Sequence, residues 1–321
     1  MLTIRVQEYG GPEVLVPAEV PSPEPGPGEV RVDLAAIGVN FVEIYQREGR
    51  YQVPLPMAPG GEGAGTVSAV GSGVDTVRVG DRVASVDLRG AYSSQALVAA
   101  DRVVPVPDGV DLDLAAAGLL QGMTAHYLLF DSHPVRAGET ILVHAAAGGM
   151  GLLLTQVATK LGARVIGTTS TVDKARLARE AGAAEVLEYG EVPYEVRRLT
   201  GGEGVAAVYD GVGRDTFDSS LASLRMRGTL VLYGGASGAV PPFDPMRLQG
   251  AGSVFLTRPT LGHHIVSRED LLRRADAVFG WIVDGISVRI HDRYPLAEAA
   301  RAQIDLASRK TTGKLLLVPP S

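Results

Sequence analysis

The stretch Val143-His-Ala-Ala-Ala-Gly-Gly-Met-Gly-Leu-Leu-Leu-Thr-Gln-Val157 is the strongest indication of fold class in this chain. It begins like a buried strand and continues like a helix, and Gly148, Gly149 and Gly151 lie where the two meet. Glycines at such a bend allow positive φ and close approach of a ligand, and the free N–H groups that open a helix suit a pyrophosphate. Because the loop departs from the usual G-x-G-x-x-G spacing, a similar bend in some other α/β protein is the alternative.

The segments around this stretch favour a nucleotide-binding loop. Strand patterns occupy 140–145, 164–168, 185–189, 205–210 and 229–233, and helix patterns occupy 149–161, 173–181, 192–199 and 216–224. Regular alternation of this kind calls for a parallel sheet that is covered by helices on both faces. We therefore expect an α/β, doubly wound Rossmann domain in the middle of the chain.

The end of the second predicted strand indicates which nicotinamide cofactor binds. In NAD-binding units an Asp or Glu roughly 20 residues past the glycines holds the ribose 2′-hydroxyl. Here the strand ends in Thr168-Thr169-Ser170, and the first acid, Asp173, begins the next helix, where it suits the helix dipole. Hydroxyl groups followed by the cation Lys174 can accept a 2′-phosphate, so the sequence predicts NADPH; the alternative for Lys174 is a solvated surface lysine.

The chain on either side of the Rossmann units has a different pattern. Short strands at 29–34 and 65–70, between Pro-rich and Gly-rich turns, predict a mainly-β, barrel-like domain. An Ala-rich helix at 112–117, a second helix around 121–125, a strand at 253–257, a long helix at 268–284 and a tail with strand, helix and strand at 289–319 complete the chain. We expect two domains: residues 1–121 together with 263–321, and residues 122–262.

Composition excludes several classes of protein. The 321 residues carry a net charge of −6, which gives no overall basic field for nucleic acid or an anionic membrane. The first ten residues include charges and no secretory signal, and the apolar run 141–154 is interrupted and too short to span a membrane. We expect cytoplasmic residence, with neither a membrane nor a nucleic acid as partner.

The chain contains no cysteine, so disulfides and Cys-ligated zinc are impossible. The six histidines show no spacing that places two ligands on one helix face. Without a metal to polarise a carbonyl, or a Ser-Tyr-Lys arrangement to protonate an alkoxide, the acceptor should be electron-poor. A quinone or another conjugated carbonyl meets this requirement, with hydrogen bonds and a solvent proton completing its reduction.

Several blocks of sequence follow one another in a recognisable order. They are Gly10-Gly-Pro-Glu-Val-Leu15, Ile37-Gly-Val-Asn-Phe41, Val79-Gly-Asp-Arg-Val83, Gly90-Ala-Tyr-Ser93, His144-Ala-Ala-Ala-Gly-Gly149, Tyr209-Asp-Gly-Val-Gly-Arg-Asp215, Thr257-Arg-Pro259 and Gly313-Lys-Leu-Leu-Leu. Over nearly the whole chain they resemble the zinc-free quinone oxidoreductases, the zeta-crystallin-like branch of the medium-chain dehydrogenase/reductase superfamily. The resemblance implies a GroES-like mainly-β catalytic domain, a Rossmann NADPH-binding domain, and quinone reduction in a cleft between them.

The resemblance also implies a set of site residues. Asn40 matches the position of a cysteine zinc ligand in zinc-bearing relatives, and Gly60-Gly61-Glu62 matches their Gly-His-Glu. The candidate catalytic residues are Asn40, Tyr45 and Tyr51. The candidate cofactor-binding residues are Asn40, Thr124, Ala147, Gly148, Gly149, Met150, Gly151, Thr169, Ser170, Lys174, Tyr189, Tyr233, Ser237 and Arg309. Gly211 departs from the serine that relatives often carry.

Several of these candidates have a simpler alternative. Tyr45 and Tyr51 could be half-buried packing residues. Asn40 could cap a helix that starts at Phe41, a role compatible with a contact to cofactor or substrate. Glu62, between glycines, is expected to be a turn carboxylate rather than a buried general acid, and surface salt bridging is the simpler expectation for Arg309.

Two other functions remain open at the level of sequence. An enone or enoyl-thioester reductase would use the same domains to reduce an activated C=C bond. Zeta-crystallin-like proteins also include binders of AU-rich RNA, although this chain is acidic and has no aromatic–basic RNA motif. The short apolar strand 253–257 at the expected sheet edge predicts a homodimer, and an edge covered by its own following loop is the alternative.

Overall fold

The computed structural model describes residues 1–320, so Ser321, the last residue of the expected returning segment, lies outside the described residues. The chain divides into two compact units. The first unit comprises Met1–Gly122 and the segment from Ile265 onward, and the second comprises Met123–His264.

The first unit is built mainly from short strands. Its N-terminal part contains β1 (Leu2–Arg5), β2 (Val16–Glu19), β3 (Glu29–Val39), α1 (Phe41–Arg47), β4 (Gly63–Val70), β5 (Arg82–Ser85), β6 (Gln95–Ala99), β7 (Val104–Pro105) and α2 (Leu112–Tyr127), the helix that holds the unit boundary. Strand β3 pairs antiparallel with both β4 and β6. In the first half of β3, Val30, Val32 and Leu34 alternate with more exposed residues, because one face of the sheet covers the core.

The second unit is a Rossmann domain, as the sequence predicts. It contains β8 (Thr140–Val143), α3 (Gly149–Lys160), β9 (Arg164–Thr168), α4 (Val172–Glu180), β10 (Glu185–Leu187), α5 (Val192–Leu199), β11 (Val205–Asp210), α6 (Phe217–Ser223), β12 (Leu224–Leu232), α7 (Met246–Gly250) and β13 (Phe255–Thr257). All six strands are parallel, in the order β10-β9-β8-β11-β12-β13. Parallel order brings the carboxyl ends of the strands to one edge, where ligands of such sheets bind.

The C-terminal segment returns to the first unit. It contains α8 (Arg268–Val283), β14 (Ile290–Pro295), α9 (Ala299–Ala307) and β15 (Lys314–Val318). Strand β15 pairs antiparallel with β3, with Leu315 opposite Val39, and parallel with β14. The sheet therefore runs β14-β15-β3-β4-β5-β7, with β6 also attached to β3.

The two helices expected near the domain boundary are one continuous helix, α2. Its glycines serve packing within the first unit: a Cβ on Gly122 would lie 2.6 Å from a methyl group of Val278, and one on Gly118 would lie 3.2 Å from Ile282. Both partners belong to the α8 side of the unit, so the glycines let α2 approach α8 closely. Within residues 1–320, no helix is both long enough and apolar enough to cross a membrane.

Candidate functional site

The glycine loop follows β8 and leads into α3. Gly148 is extended and precedes the helix, and no side chain caps the first-turn N–H groups of α3. At Gly151 a Cβ would lie 2.2 Å from the carbonyl oxygen of Ala145, so only glycine lets the helix approach the preceding turn. Uncapped N–H groups at the start of a 12-residue helix fit a dinucleotide pyrophosphate, which supports the proposed roles of Ala147, Gly149 and Met150.

The end of β9 carries hydroxyl groups and no carboxylate. Thr168 and Thr169 are buried, Ser170 is exposed, and Thr171 caps α4 by accepting a hydrogen bond from the backbone N–H of Lys174 at 3.3 Å. Burial lowers the pKa of the Lys174 amine. A hydroxyl-rich edge beside a partly buried cation fits a phosphate monoester better than a ribose hydroxyl.

Aromatic residues follow the neighbouring strands at the same edge. Tyr189 follows β10 and Tyr233 follows β12. A Cβ on Gly211, just after β11, would lie 2.8 Å from the ring and the hydroxyl oxygen of Tyr233. A side chain at position 211 would therefore require the Tyr233 ring to move.

Ser237 lies in the loop that follows Tyr233 and is buried. Its hydroxyl accepts from the N–H of Asp215 at 3.0 Å and donates to the carbonyl of Val212 at 2.8 Å. These two bonds tie the loop after β12 to the loop after β11. The cofactor contact expected for Ser237 stays a prediction.

A buried network beneath this edge was not anticipated from the sequence. The imidazole of His144 lies 3.0 Å from the hydroxyl of Thr168 and 3.0 Å from that of Ser220. Ser220 in turn donates to a carboxylate oxygen of Asp210 at 2.7 Å, and Thr216 donates to the same carboxylate. The network ties the ends of β8, β9 and β11 to α6.

The partners of His144 define its tautomer. Ser220 donates its proton to Asp210, so its oxygen accepts from Nε2–H of His144. Thr168 accepts from the backbone N–H of Ala145 at 3.2 Å and donates to Nδ1. A neutral imidazole satisfies both bonds, and burial lowers the pKa of His144 against the opposing effect of Asp210.

The predicted catalytic residues lie around α1 in the first unit. Asn40 immediately precedes the helix, as expected of a cap, and its backbone N–H donates to Oε2 of Glu43 at 2.6 Å. The rings of Tyr45 and Tyr51 meet edge to face with centroids 5.5 Å apart. Tyr51 is 47% exposed, so its ring is accessible to a ligand, and the guanidinium of Arg50 lies 5.4 Å from the ring centroid of Tyr45.

The expectation that Glu62 is a turn carboxylate is wrong. Glu62 is fully buried, and its Oε2 accepts from Nζ of Lys314 at 2.5 Å and from Nδ2 of Asn40 at 3.0 Å. Its other oxygen accepts from the N–H of Leu120 at 2.7 Å. The local sequence around Glu62 does not indicate this ion pair, because Lys314 lies 252 positions away along the chain.

Glu43 is a second buried carboxyl group beside this ion pair. Burial raises its pKa to about 8, and the charge of Glu62 acts in the same direction; Lys314 and the N–H of Asn40 oppose the rise. Glu43 is therefore mostly protonated at neutral pH. The buried cluster then holds one carboxylate, one ammonium and one neutral acid.

The predicted site residues thus fall into two groups, one in each unit. The loop after β8 and the residues after β9, β10 and β12 share one edge of the Rossmann sheet. In the first unit, Asn40 precedes α1, Tyr45 lies in it and Tyr51 follows it. Thr124 is buried in α2, and Arg309 follows α9 with a positive φ of 58°. Their contacts with a cofactor stay predictions. Among residues 1–320, no three His, Asp or Glu side chains form a group that could hold a metal ion.

A Rossmann sheet with a glycine loop after its first strand, in one chain with a mostly antiparallel sheet, defines a two-domain dehydrogenase or reductase. Comparison with known families agrees: residues 26–136 match the alcohol dehydrogenase GroES-like domain, and residues 149–273 match the zinc-binding dehydrogenase family.

Individual relatives narrow this class. The chain is 48% identical to a quinone oxidoreductase of Pseudomonas aeruginosa, over 98% of this chain and 99% of that protein. A mycobacterial protein solved in complex with NADPH is 52% identical, with a TM-score of 0.97 over 99% of this chain and all of that one. A 2-haloacrylate reductase of Burkholderia is 41% identical over 98% of both chains. This chain belongs to the zinc-free quinone oxidoreductase family of the medium-chain dehydrogenase/reductase superfamily.

Proposed function

We propose that this protein is an NADPH-dependent reductase of quinones and similar conjugated carbonyl acceptors. The observation that carries the choice of cofactor is the end of β9, where Thr169, Ser170 and Lys174 occupy the region in which an NAD enzyme has an acid. NADPH in the mycobacterial relative and quinone reduction in the Pseudomonas relative support the same assignment.

In the proposed reaction, one group of residues binds the cofactor and another binds the acceptor. The N–H groups that open α3 would hold the pyrophosphate, and Lys174 would neutralise the 2′-phosphate. When bound, NADPH supplies a hydride. Tyr45 and Tyr51 offer hydroxyl groups that can hydrogen-bond to the oxygens of the acceptor as negative charge reaches them. A conjugated acceptor spreads that charge, so hydrogen bonds and a solvent proton suffice.

Cofactor titration tests the phosphate argument. Wild-type protein should bind NADPH at least ten times more tightly than NADH, because only NADPH carries the 2′-phosphate. Lys174→Ala should raise the Kd for NADPH about tenfold and leave the Kd for NADH unchanged. Arg179→Ala removes an exposed cation at the other end of α4 and should change neither. Equal wild-type affinities for the two cofactors would overturn the assignment.

Reduction of an activated C=C bond is the second candidate, and the 2-haloacrylate reductase among the relatives favours it. Both reactions deliver hydride to a conjugated acceptor, so the same residues could serve either. Purified protein with NADPH should be offered a series of quinones and a matched series of enones and haloacrylates. Turnover of the second series without the first would make the protein a C=C reductase.

We also propose a homodimer formed through β13. This strand is at the end of the parallel sheet, and Phe255 on it is 57% exposed. An exposed edge strand pairs readily with its own copy across a twofold axis. Gel filtration should give the mass of two chains, and Phe255→Lys should shift the protein toward one chain. A wild-type monomer would contradict the proposal.

A further inference from the structure

Lys314 stands opposite Asn40 because of strand register. Strands β15 and β3 pair with Leu315 opposite Val39, and one further step brings Lys314 to the level of Asn40, where β3 gives way to α1. The lysine is 1% exposed, and its Nζ donates to Oδ1 of Asn40 and to Oε2 of Glu62, each at 2.5 Å. The returning C-terminal strand thus brings a cation to a predicted catalytic residue.

Gly38 provides the room for this ion pair. A Cβ on Gly38 would lie 2.1 Å from Oε2 of Glu62 and 3.0 Å from Cε of Lys314. The backbone of Gly38 is also fixed, since its N–H donates to the carbonyl of Glu62 at 3.1 Å. Any side chain at this position would displace the two charged groups, so the fold leaves a space that fits the pair.

The pair also determines the orientation of the Asn40 amide. An amide group has two ends of nearly the same shape and opposite hydrogen-bonding character. The ammonium of Lys314 holds the oxygen, and the carboxylate of Glu62 holds the nitrogen at 3.0 Å. Turning the amide over would set Nδ2 against the ammonium and Oδ1 against the carboxylate, and both contacts would repel.

We propose that Lys314 and Glu62 are positioning residues that hold the Asn40 side chain in one orientation for the reaction. The inference rests on the proposed function and on the sequence-based prediction that Asn40 is a catalytic residue. The ion pair restrains the neutral side chain of Asn40 more firmly than helix capping or packing alone would. Small displacements of a positioning group cost large factors in rate, on the order of a hundredfold for 1 Å.

A double-mutant cycle tests this role. Glu62→Gln combined with Lys314→Met removes both charges together, so no unpaired charge is left in the core. Asn40→Ala and the charge-free pair should each lower kcat with a quinone by about tenfold or more, and the two together should lower it little further. The Kd for NADPH should stay within about threefold throughout, because the Rossmann unit supplies most cofactor contacts.

Gln303→Leu is the matched control, since Gln303 is a buried polar residue of the same unit whose side chain bonds to Tyr92 instead of Asn40. In the combined variant, the factors by which Gln303→Leu and Asn40→Ala each lower kcat should multiply, as expected of two independent sites. If Asn40→Ala costs the same factor with and without the charges, or has no effect in wild type, the positioning role is wrong. If wild-type protein did not reduce quinones, the proposed function would be wrong and the positioning role would still be testable. The double-mutant cycle would then be measured with the enone or haloacrylate that the protein reduces.

Discussion

Each unit of this protein contains a fully buried polar cluster, and the two clusters solve the same problem differently. In the Rossmann unit, the carboxylate of Asp210 accepts from two backbone N–H groups and from the hydroxyls of Thr216 and Ser220. In the first unit, the carboxylate of Glu62 depends on the ammonium of Lys314. One carboxylate is stabilised mainly by many neutral donors and the other mainly by one cation.

The two clusters should differ in how much stability a single substitution costs. A carboxylate that is held by several neutral donors loses one hydrogen bond at a time, and each bond to such a charged group contributes about 1.5–3 kcal/mol. A buried ion pair that loses one partner leaves an uncompensated charge in the core, which costs roughly 3–5 kcal/mol. The first unit should therefore be the more sensitive to a single substitution, and the Rossmann unit the more robust.

Lys314→Met alone should destabilise the protein more than any other substitution considered below. It should lower the free energy of unfolding by about 3–5 kcal/mol, because the carboxylate of Glu62 stays buried without its cation. Adding Glu62→Gln should recover most of this loss. Urea unfolding of both variants and of wild type measures the difference. A single variant as stable as wild type would show that the pair contributes little to stability.

A smaller effect, with a definite sign, is expected from Glu43. Its pKa is about 8 in the folded protein and 4.5 ordinarily, so the folded state holds a proton that the unfolded chain releases between these values. The stabilisation is complete below pH 4.5 and is lost as the pH rises through 8.

Glu43→Gln keeps a neutral acceptor for the N–H of Asn40 and removes this titration. Relative to the variant, wild type should lose on the order of 1–3 kcal/mol of unfolding free energy between pH 5 and pH 8. Parallel pH profiles for wild type and Glu43→Gln would contradict the assignment of a neutral acid.

The sequence predicted the Rossmann unit well because its signals are local. Alternating patterns give each strand and helix, and Gly148, Gly149 and Gly151 mark the bend whose geometry requires them. The helix at Phe41 was also predictable, since Asn40 and Glu43 show the spacing of a capping box. These features depend on residues within a few positions of one another.

The buried clusters could not be predicted in the same way. Glu62 between glycines has the local pattern of a turn, and only the pairing of β15 with β3 brings Lys314 to it. In the sequence, His144 only interrupts an apolar run. Its hydrogen-bond partners, Thr168 and Ser220, lie in a later strand and a later helix. Both clusters form through contacts between residues that are distant in sequence, and composition and periodicity do not indicate such contacts.

The smallest expected effect concerns His144 and has the opposite sign to that of Glu43. Its pKa is lowered in the folded protein, so the unfolded chain binds a proton more readily, and stability falls as the pH drops below the ordinary value of 6.5.

His144→Asn keeps a polar group near Thr168 and should cost about 1 kcal/mol at pH 7. Wild type should then lose on the order of 1 kcal/mol relative to this variant between pH 7 and pH 5. A difference between wild type and His144→Asn that grew toward low pH would mean that the buried imidazole is charged, and that both clusters, not one, depend on a cation.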